Sequence, residues 1–499
     1  MRALPAGPRI GGHREGSQWC LEENACLGSA PGGALDEVVQ CGRSWAGLLV
    51  TVILAACGSP KPPALPGSAA AAASAGSSKA VTLPDTPAGA QLRWLIAATA
   101  HLPMSDAQAR AHFDPGFLAQ VSPAMLNQGL QGATDVKLVS IEVSQPRTLV
   151  AVASTGGSVP RVQVALAVDS RGLISGLRIS PARPPPPPPA TWAGVDAAVR
   201  SVAPEVRLLV AKVTNGSCQP VHGIDPATVA PLGSTFKLYV LDALGNAVES
   251  GKIHWNQPTI TAQSKSLPSG ELQTEPDGTR IPVRATAAKM ISISDNTAAN
   301  MLITLVGRPA VEAALTTTGM TDPARDRPFL TTREMFILKL DRWPALAGQY
   351  VAAGESGRRA LLARTVDRTP LPAVSAVRAW TTPRDIDSIE WFASASDICR
   401  VYTSLAALAR RPGLSPIGSV LSLNDGGLRL DPAQWKMTWF KGGSEPGVLT
   451  LAYLATTRSG QSYVVAVLAE NPSEPINEAT AAPVMLSAVK GAFTLAAHG

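Results

Sequence analysis

Apolar residues follow several different rhythms along this chain, and each rhythm has its own segment. After Arg43 an unbroken apolar run, Trp45 to Ala56, is too short to cross a bilayer and has the length of a signal-peptide core. From Gly58 to Pro84 the chain is Pro, Ala, Ser and Gly, including Ala69 to Ala73, which cannot build a core and reads as a tether. From Asp85 to Arg183, Leu92, Trp94, Leu95 and Ile96, then Phe113, Phe117, Leu118 and Val121, sit in short helical segments. The period then drops to two over Val136 to Val143, Thr148 to Ala153, Val162 to Val168 and Leu173 to Ile179. Helices followed by a meander predict a small α+β domain with its helices on one sheet face. Six prolines, Pro184 to Pro189, would form a stiff extended helix and mark a linker over residues 184–190.

From 191 to 499 the pattern is again α+β but arranged differently. One strand, Val206 to Val213, precedes a helix running through Leu238 to Ala247, and a mostly helical middle follows. The end holds three strand-like runs, Trp435 to Phe440, Val448 to Thr456 and Tyr463 to Ala469, and an amphipathic segment from Ala481 to Ala496. Such an order predicts one antiparallel sheet built from both chain ends, flanked by helices, with an all-helical lobe inserted between them.

Composition narrows the chemistry. The chain has 499 residues, 45% hydrophobic and 16% charged, with a formal charge of +6 and no basic run interleaved with aromatics, which argues against a nucleic-acid partner. The 6 histidines are scattered without a ligand spacing, so a zinc site is disfavoured and no cofactor is expected. Cys218 and Cys399 are the two cysteines between 191 and 499 and could pair in an oxidising compartment, but two separate buried thiols are expected because nothing in the sequence brings them together.

Ser234-Thr235-Phe236-Lys237 places a hydroxyl at the start of a helix and an amine one turn further along the same face. Burial against neighbours such as Phe236 and Leu241 would keep Lys237 neutral, so that it takes the serine proton, and the helix start would favour a developing oxyanion. Ser-x-x-Lys alone arises by chance in a chain of this length. Two further elements follow in order, Ser294-Asp295-Asn296 and Lys441-Gly442-Gly443.

Together the three resemble the Ser-x-x-Lys, Ser-Asp-Asn and Lys-Thr-Gly set of class A β-lactamases and penicillin-binding proteins. The resemblance implies a serine hydrolase acting on a β-lactam, an ester or a cell-wall peptide. In it Ser234 is the nucleophile, Lys237 its base and Ser294 a proton relay; Asn296 holds Lys237 and substrate, and Lys441 meets a substrate carboxylate. The N–H groups of Ser234 and Ser444, the latter beyond Gly442-Gly443, form the oxyanion hole. Taken singly, Ser294 and Asn296 are equally ordinary helix caps and Gly442-Gly443 an ordinary turn.

Leu54-Ala55-Ala56-Cys57-Gly58 resembles a bacterial lipobox, which implies export, lipidation of Cys57 and a membrane partner through the lipid anchor. The layout of leader and signal (1–57), tether (58–84), small domain (85–183), linker (184–190) and hydrolase-like domain (191–499) resembles a narrower actinobacterial group. That group includes mycobacterial two-domain β-lactamase-like lipoproteins and the β-lactamase-like protein of clavulanic acid clusters. The small domain looks like the cone-shaped fold of ketosteroid isomerases and nuclear transport factor 2. Having no tyrosine before Tyr239, it is expected to be structural or a binding module.

The chain departs from the class A pattern in two places. Class A enzymes carry an omega-loop glutamate shortly before a Thr-Thr-Pro stretch. Thr381-Thr382-Pro383 extends the resemblance as that stretch, and the preceding Arg364 to Trp380 has no glutamate, Asp367 is its only carboxylate, and Asn300 lacks its expected partner. Slow deacylation is therefore expected. Gly442 replaces the usual threonine, and Ser444 is the nearest hydroxyl to stand in for it. Phe329 to Phe336 falls in extra length and is expected to be either a cover over the cleft or a surface helix without a role. A DD-peptidase or esterase, and a non-catalytic binding module on the same fold, remain as alternatives.

Overall fold

The computed structural model describes residues 81–499, apart from 132, 145–146, 157–158, 170, 183–184, 262–264 and 499. Cys57, the run before it and most of the tether lie outside the described residues.

Four short helices open the small domain: α1 (Pro87–Thr99), α2 (Asp106–His112), α3 (Pro115–Leu118) and α4 (Pro123–Leu130). Each starts behind an oxygen-bearing cap, Thr86, Ser105, Asp114 and Ser122, whose side chain accepts an otherwise unpaired N–H, and α1, α3 and α4 begin with proline. The strands β1 (Lys137–Ser144), β2 (Thr148–Ser154), β3 (Arg161–Val168) and β4 (Ile174–Pro181) form an antiparallel meander in that order. Leu92, Leu95, Phe113, Phe117 and Leu126 from the helices bury against Leu149, Val164, Leu166 and Leu177 of the sheet. This is the helices-on-one-face layer that the change of period predicts.

The larger domain begins with α5 (Trp192–Arg200), β5 (Glu205–Thr214) and β6 (Ser217–Ile224), the last two joined by Asn215-Gly216, both at positive φ. The helical part follows a short strand β7 (Val229–Pro231): α6 (Lys237–Glu249), the small ribbon β8 (Pro258–Ile260) and β9 (Arg280–Pro282), α7 (Val283–Ser292), α8 (Asn296–Val306) and α9 (Arg308–Thr317). Next come α10 (Thr332–Leu340), α11 (Ala345–Ala352), α12 (Glu355–Arg364) and α13 (Val374–Ala379). β10 (Phe392–Ser394) pairs with β7 and leads to α14 (Ala395–Ala409) and α15 (Pro416–Leu421). The chain closes with β11 (Trp435–Glu445), β12 (Val448–Thr457), β13 (Ser462–Glu470) and α16 (Glu478–His498).

The central sheet has the order β11-β12-β13-β5-β6, so β5 near the start pairs antiparallel with β13 near the end. Tyr463, Val465 and Val467 of β13 pack toward α5 and α16, and Val464, Ala466 and Leu468 toward the helical lobe. Both faces are covered, which is why β13 reads as a continuous apolar run. α16 is the one helix among the described residues long and apolar enough to cross a membrane, but Met485, Val489 and Phe493 bury it on this sheet. The prolines lie along α16, where the Ser487 hydroxyl donates to the Pro186 carbonyl at 2.7 Å.

Three expectations are corrected. The edge strand β6 carries no apolar alternation, Ser217, Gln219 and Pro220 being exposed, and so gave no signal. Phe329 to Phe336 is neither a cover nor a surface helix: Phe329 and α10 are buried in the lobe core, and α11 to α13 follow it. Cys218 and Cys399 are not separate thiols but form a disulfide between β6 and α14 across 181 residues of sequence.

Candidate active site

Ser234 owes its position to the crossing from β7 to α6. The Leu232 N–H donates to the Trp391 carbonyl at 2.8 Å, and Gly233 takes a φ of 50° that a side chain would resist. The chain then makes a 3-10 turn, Gly233–Phe236, before α6 begins at Lys237, so the predicted single helix starts as a tighter coil. Phe236 stacks on Trp391 with ring centres 3.8 Å apart, pinning the turn to the lobe. Within Leu232 to Leu241, Ser234 alone is not buried.

Lys237 is fully buried, and its Nζ lies 3.0 Å from Ser234 Oγ. The same nitrogen is 2.6 Å from the Ser294 carbonyl, 3.1 Å from Ser294 Oγ and 2.7 Å from Asn296 Oδ1. Desolvation, and then the neighbouring charge of Lys441, hold its pKa well below the usual lysine range, against the opposing pull of Asp295. A neutral amine beside the hydroxyl has a lone pair to receive its proton.

Ser294 stands at a φ of 57° in the turn between α7 and α8. It is not the cap of α8; Asp295 is, with Oδ1 accepting from the Ala298 N–H at 2.8 Å and Oδ2 from Glu271 and Leu272 at 2.6 and 2.9 Å. Freed from capping, Ser294 Oγ lies between two amines, 3.1 Å from Lys237 Nζ and 3.0 Å from Lys441 Nζ. Lys441 projects from β11, and burial lowers it to about 7. Asn296 opens α8 and its Nδ2 also donates to the Leu267 carbonyl at 3.2 Å, so much of its amide is engaged within the protein.

Gly442-Gly443 is not a turn but part of β11. A Cβ on Gly442 would come within 2.9 Å of the Phe440 ring, so the hydroxyl-bearing residue expected there would displace that aromatic. A Cβ on Gly233 would stand 2.8 Å from the Ser444 nitrogen, which brings the backbones of the two expected oxyanion donors into contact. Thr450 fastens them from below: it donates to the Leu232 carbonyl at 2.8 Å and meets the Thr235 hydroxyl at 2.7 Å. Glu478, at the first turn of α16 and close to the Ser444 side chain, is raised by desolvation.

Asn300 does have a partner. Its Oδ1 accepts from the Thr332 N–H at 2.9 Å and the Thr332 hydroxyl at 2.8 Å, so the Thr-Thr pair beside it is Thr331-Thr332 and not Thr381-Thr382. The segment before that pair, Thr318 to Leu330, also contains no glutamate. Its Asp326 is buried, accepts from the Phe392 N–H at 2.9 Å, and is raised by desolvation. Asp367 lies elsewhere, hydrogen-bonded to Glu334 with Arg308 and Arg333 as charged neighbours, and burial raises it to about 6. Thr450, Thr332 and Ser269, whose hydroxyl donates to the Ser294 carbonyl at 2.8 Å, had no signal in the sequence because each acts through backbone or amide groups far away in the chain. Among the described residues no three His, Cys, Asp or Glu side chains converge as metal ligands.

Residues 193–386 match the family model described as Beta-lactamase enzyme family, and residues 83–174 the model described as ORF 12 gene product N-terminal. The larger domain is thus β-lactamase-like. The smaller, antiparallel-sheet domain is similar to the N-terminal domain of that ORF 12 product. No curated protein matches the sequence. Among solved structures, the β-lactamase from Sphaerobacter thermophilus DSM 20745 is similar, at 22% identity over 61% of this chain and 98% of that one, TM-score 0.44. One from Chitinophaga pinensis DSM 2588 is similar at 17% identity, over 61% and 98%, TM-score 0.42. A PBP-A mutant, solved as an acyl-enzyme complex with penicillin G, is similar at 16% identity, over 62% and 99%, TM-score 0.40.

Proposed function

We propose that this protein is an exported, lipid-anchored serine hydrolase that is acylated on Ser234 by β-lactams or related amides and esters and deacylates slowly. The observation that carries the reading is the fully buried, neutral-leaning Lys237, 3.0 Å from a Ser234 hydroxyl that remains accessible. In acylation Ser234 Oγ attacks the substrate carbonyl while its proton passes to Lys237, and the carbonyl oxygen becomes an oxyanion held by the N–H groups of Ser234 and Ser444. The proton then travels through Ser294, which bridges Lys237 and Lys441, to the leaving nitrogen or oxygen as its bond to carbon breaks.

Deacylation requires a base for water. Neither the segment before Thr331 nor that before Thr381 carries a glutamate; Asp326 is buried with one oxygen on the Phe392 N–H and the other unpartnered, and Asp367 lies among Glu334, Arg308 and Arg333. The acyl-enzyme therefore persists. Gly442, which lacks the usual hydroxyl, also weakens recognition of a substrate carboxylate, which favours simple esters over β-lactams as turnover substrates. Export is supported by the Cys218–Cys399 disulfide, a bond that endures in oxidising compartments, and the small domain would serve as a binding or spacing module on the lipid tether.

Intact-mass spectrometry after exposure to a penicillin tests the reading. One acyl group per chain is expected, absent in Ser234→Ala, together with a one-equivalent burst and slow steady state with a chromogenic cephalosporin. No adduct from any penicillin, ester or fluorophosphonate probe would leave the binding-module alternative.

A further inference from the structure

Behind the touching backbones of Gly233-Ser234 and Gly443-Ser444 lies a second cluster of buried charge, which the chemistry above does not use. Lys339, in the last turn of α10, is fully buried with Nζ 2.5 Å from Glu445 Oε1 and 3.9 Å from Glu390 Oε1. Glu390 Oε2 accepts from the N–H groups of Gly233 and Trp391 at 3.0 and 3.1 Å. One carboxyl thus grips the residue before the nucleophile, and the other belongs to the residue after the second oxyanion donor. Lys339 stands between them.

Two carboxylates and one ammonium would leave an uncompensated buried negative charge, which is costly. Glu390 Oε1 and Glu445 Oε2 are buried without any hydrogen-bond partner. A proton held on one of the two carboxyls removes the excess negative charge. Glu445 is the better host: burial raises it and Lys339 is its one donor opposing the rise, whereas Glu390 accepts from the N–H groups of Gly233 and Trp391 and is held down by Lys339 as well. The other acid facing the cluster is Asp326, itself raised by burial.

We propose that Lys339, ionised Glu390 and protonated Glu445 form a charge-neutral brace that sets the spacing of the Ser234 and Ser444 amides, acting as positioning residues for the oxyanion hole. The glycines at this crossing have no side chains with which to hold the two backbones apart or together. Spacing is therefore imposed from outside, by Thr450 on one side and by this brace on the other. The proposal rests on the acyl-transfer reading.

The test compares acylation rate, apparent substrate binding and affinity for a boronic acid transition-state analogue across full-length variants, with infrared spectra at neutral pH. Glu390→Ala is expected to acylate about 10²-fold more slowly and to bind the boronic acid more weakly, with substrate binding unchanged, as befits a disturbed oxyanion donor. Glu445→Gln, whose amide N–H replaces the carboxyl proton, is expected to keep the wild-type rate while losing one protonated-carboxyl band from the spectrum. Lys339→Arg should retain more activity than Lys339→Met; if Lys339→Met fails to fold, the two glutamate variants still decide the matter. A folded Glu390→Ala that acylates at the wild-type rate, a Glu445→Gln as slow as Glu390→Ala, or an unchanged infrared spectrum in Glu445→Gln overturns the proposal. If the wild type takes no acyl probe at all, the hydrolase reading fails and the positioning role with it, while loss of the band would still establish the carboxyl proton.

Discussion

Gly443 and Ser234 approach so closely that a Cβ on Gly443 would stand 2.5 Å from the Ser234 nitrogen, a distance no real Cβ tolerates. Glycine is required here by the neighbouring backbone and not by a turn. Gly443→Ala should therefore push β11 from the start of α6 and lower the acylation rate by about 10²–10³, the worth of one oxyanion donor. Stopped-flow acylation checks it, and an unaltered rate in a folded variant would separate this crossing from catalysis.

Lys237 touches Ser234, the Ser294 carbonyl and hydroxyl, and Asn296 at once, so on the proposed reading its removal takes away the base and loosens three partners. Lys237→Ala should slow acylation by at least about 10²–10⁴. Asp367→Asn, which alters a cluster with Glu334, Arg308 and Arg333, should leave deacylation unchanged. Stopped-flow acylation measures the first and single-turnover release of the acyl group the second, and slowed release in Asp367→Asn would identify that residue as the water-activating base after all.

Lys441 provides the pH dependence. Its folded value of about 7 lies below the ordinary lysine value of about 10.4. Between about pH 7 and about pH 10 the unfolded chain holds a proton that the folded one does not, so stability should rise with pH across that window and gain nothing from this group below it. Binding of substrates that carry a carboxylate should weaken as pH rises through about 7, while neutral esters are indifferent. Denaturant titrations of wild type and Lys441→Met, with substrate binding at several pH values, check both signs; an unchanged stability slope in Lys441→Met would remove Lys441 as the cause.

The disulfide predicts a single linked peptide pair containing Cys218 and Cys399 in an unreduced digest. Replacing both cysteines by serine should cost about 2–5 kcal/mol of stability, because the bond closes a long loop in the unfolded chain. Recovery of two alkylated cysteines from unreduced protein is the opposing result.

The proposed lipid anchor at Cys57 is tested by localisation. Wild-type protein should partition with membranes, and Cys57→Ala should be released or left unprocessed. Recovery of the wild type solely from the cytosol would end the lipoprotein proposal.

Residues close in sequence were legible because local rules govern them. The change of period at Val136, the prolines, the continuous apolar run of β13 and the spacings Ser234-x-x-Lys237 and Ser294-Asp295-Asn296 follow from helix and strand geometry and are written in neighbouring residues. Groups whose meaning depends on a distant partner were not legible. Cys218 meets Cys399, Asn300 meets Thr332 in place of a partner near Thr381, and Phe329 to Phe336 is buried because the lobe closes around it. Glu445 is one residue beyond the candidate motif, yet its charge state depends on Lys339 and Glu390, more than fifty residues away and brought near by the β10–β7 pairing and the end of α10. The linear sequence thus determined which chemical groups are available and the local elements that carry them. Tertiary structure alone decided which are desolvated together, and desolvation, which acts through all surrounding atoms, is what lowers the Lys237 amine and raises the Glu445 carboxyl from their ordinary ranges.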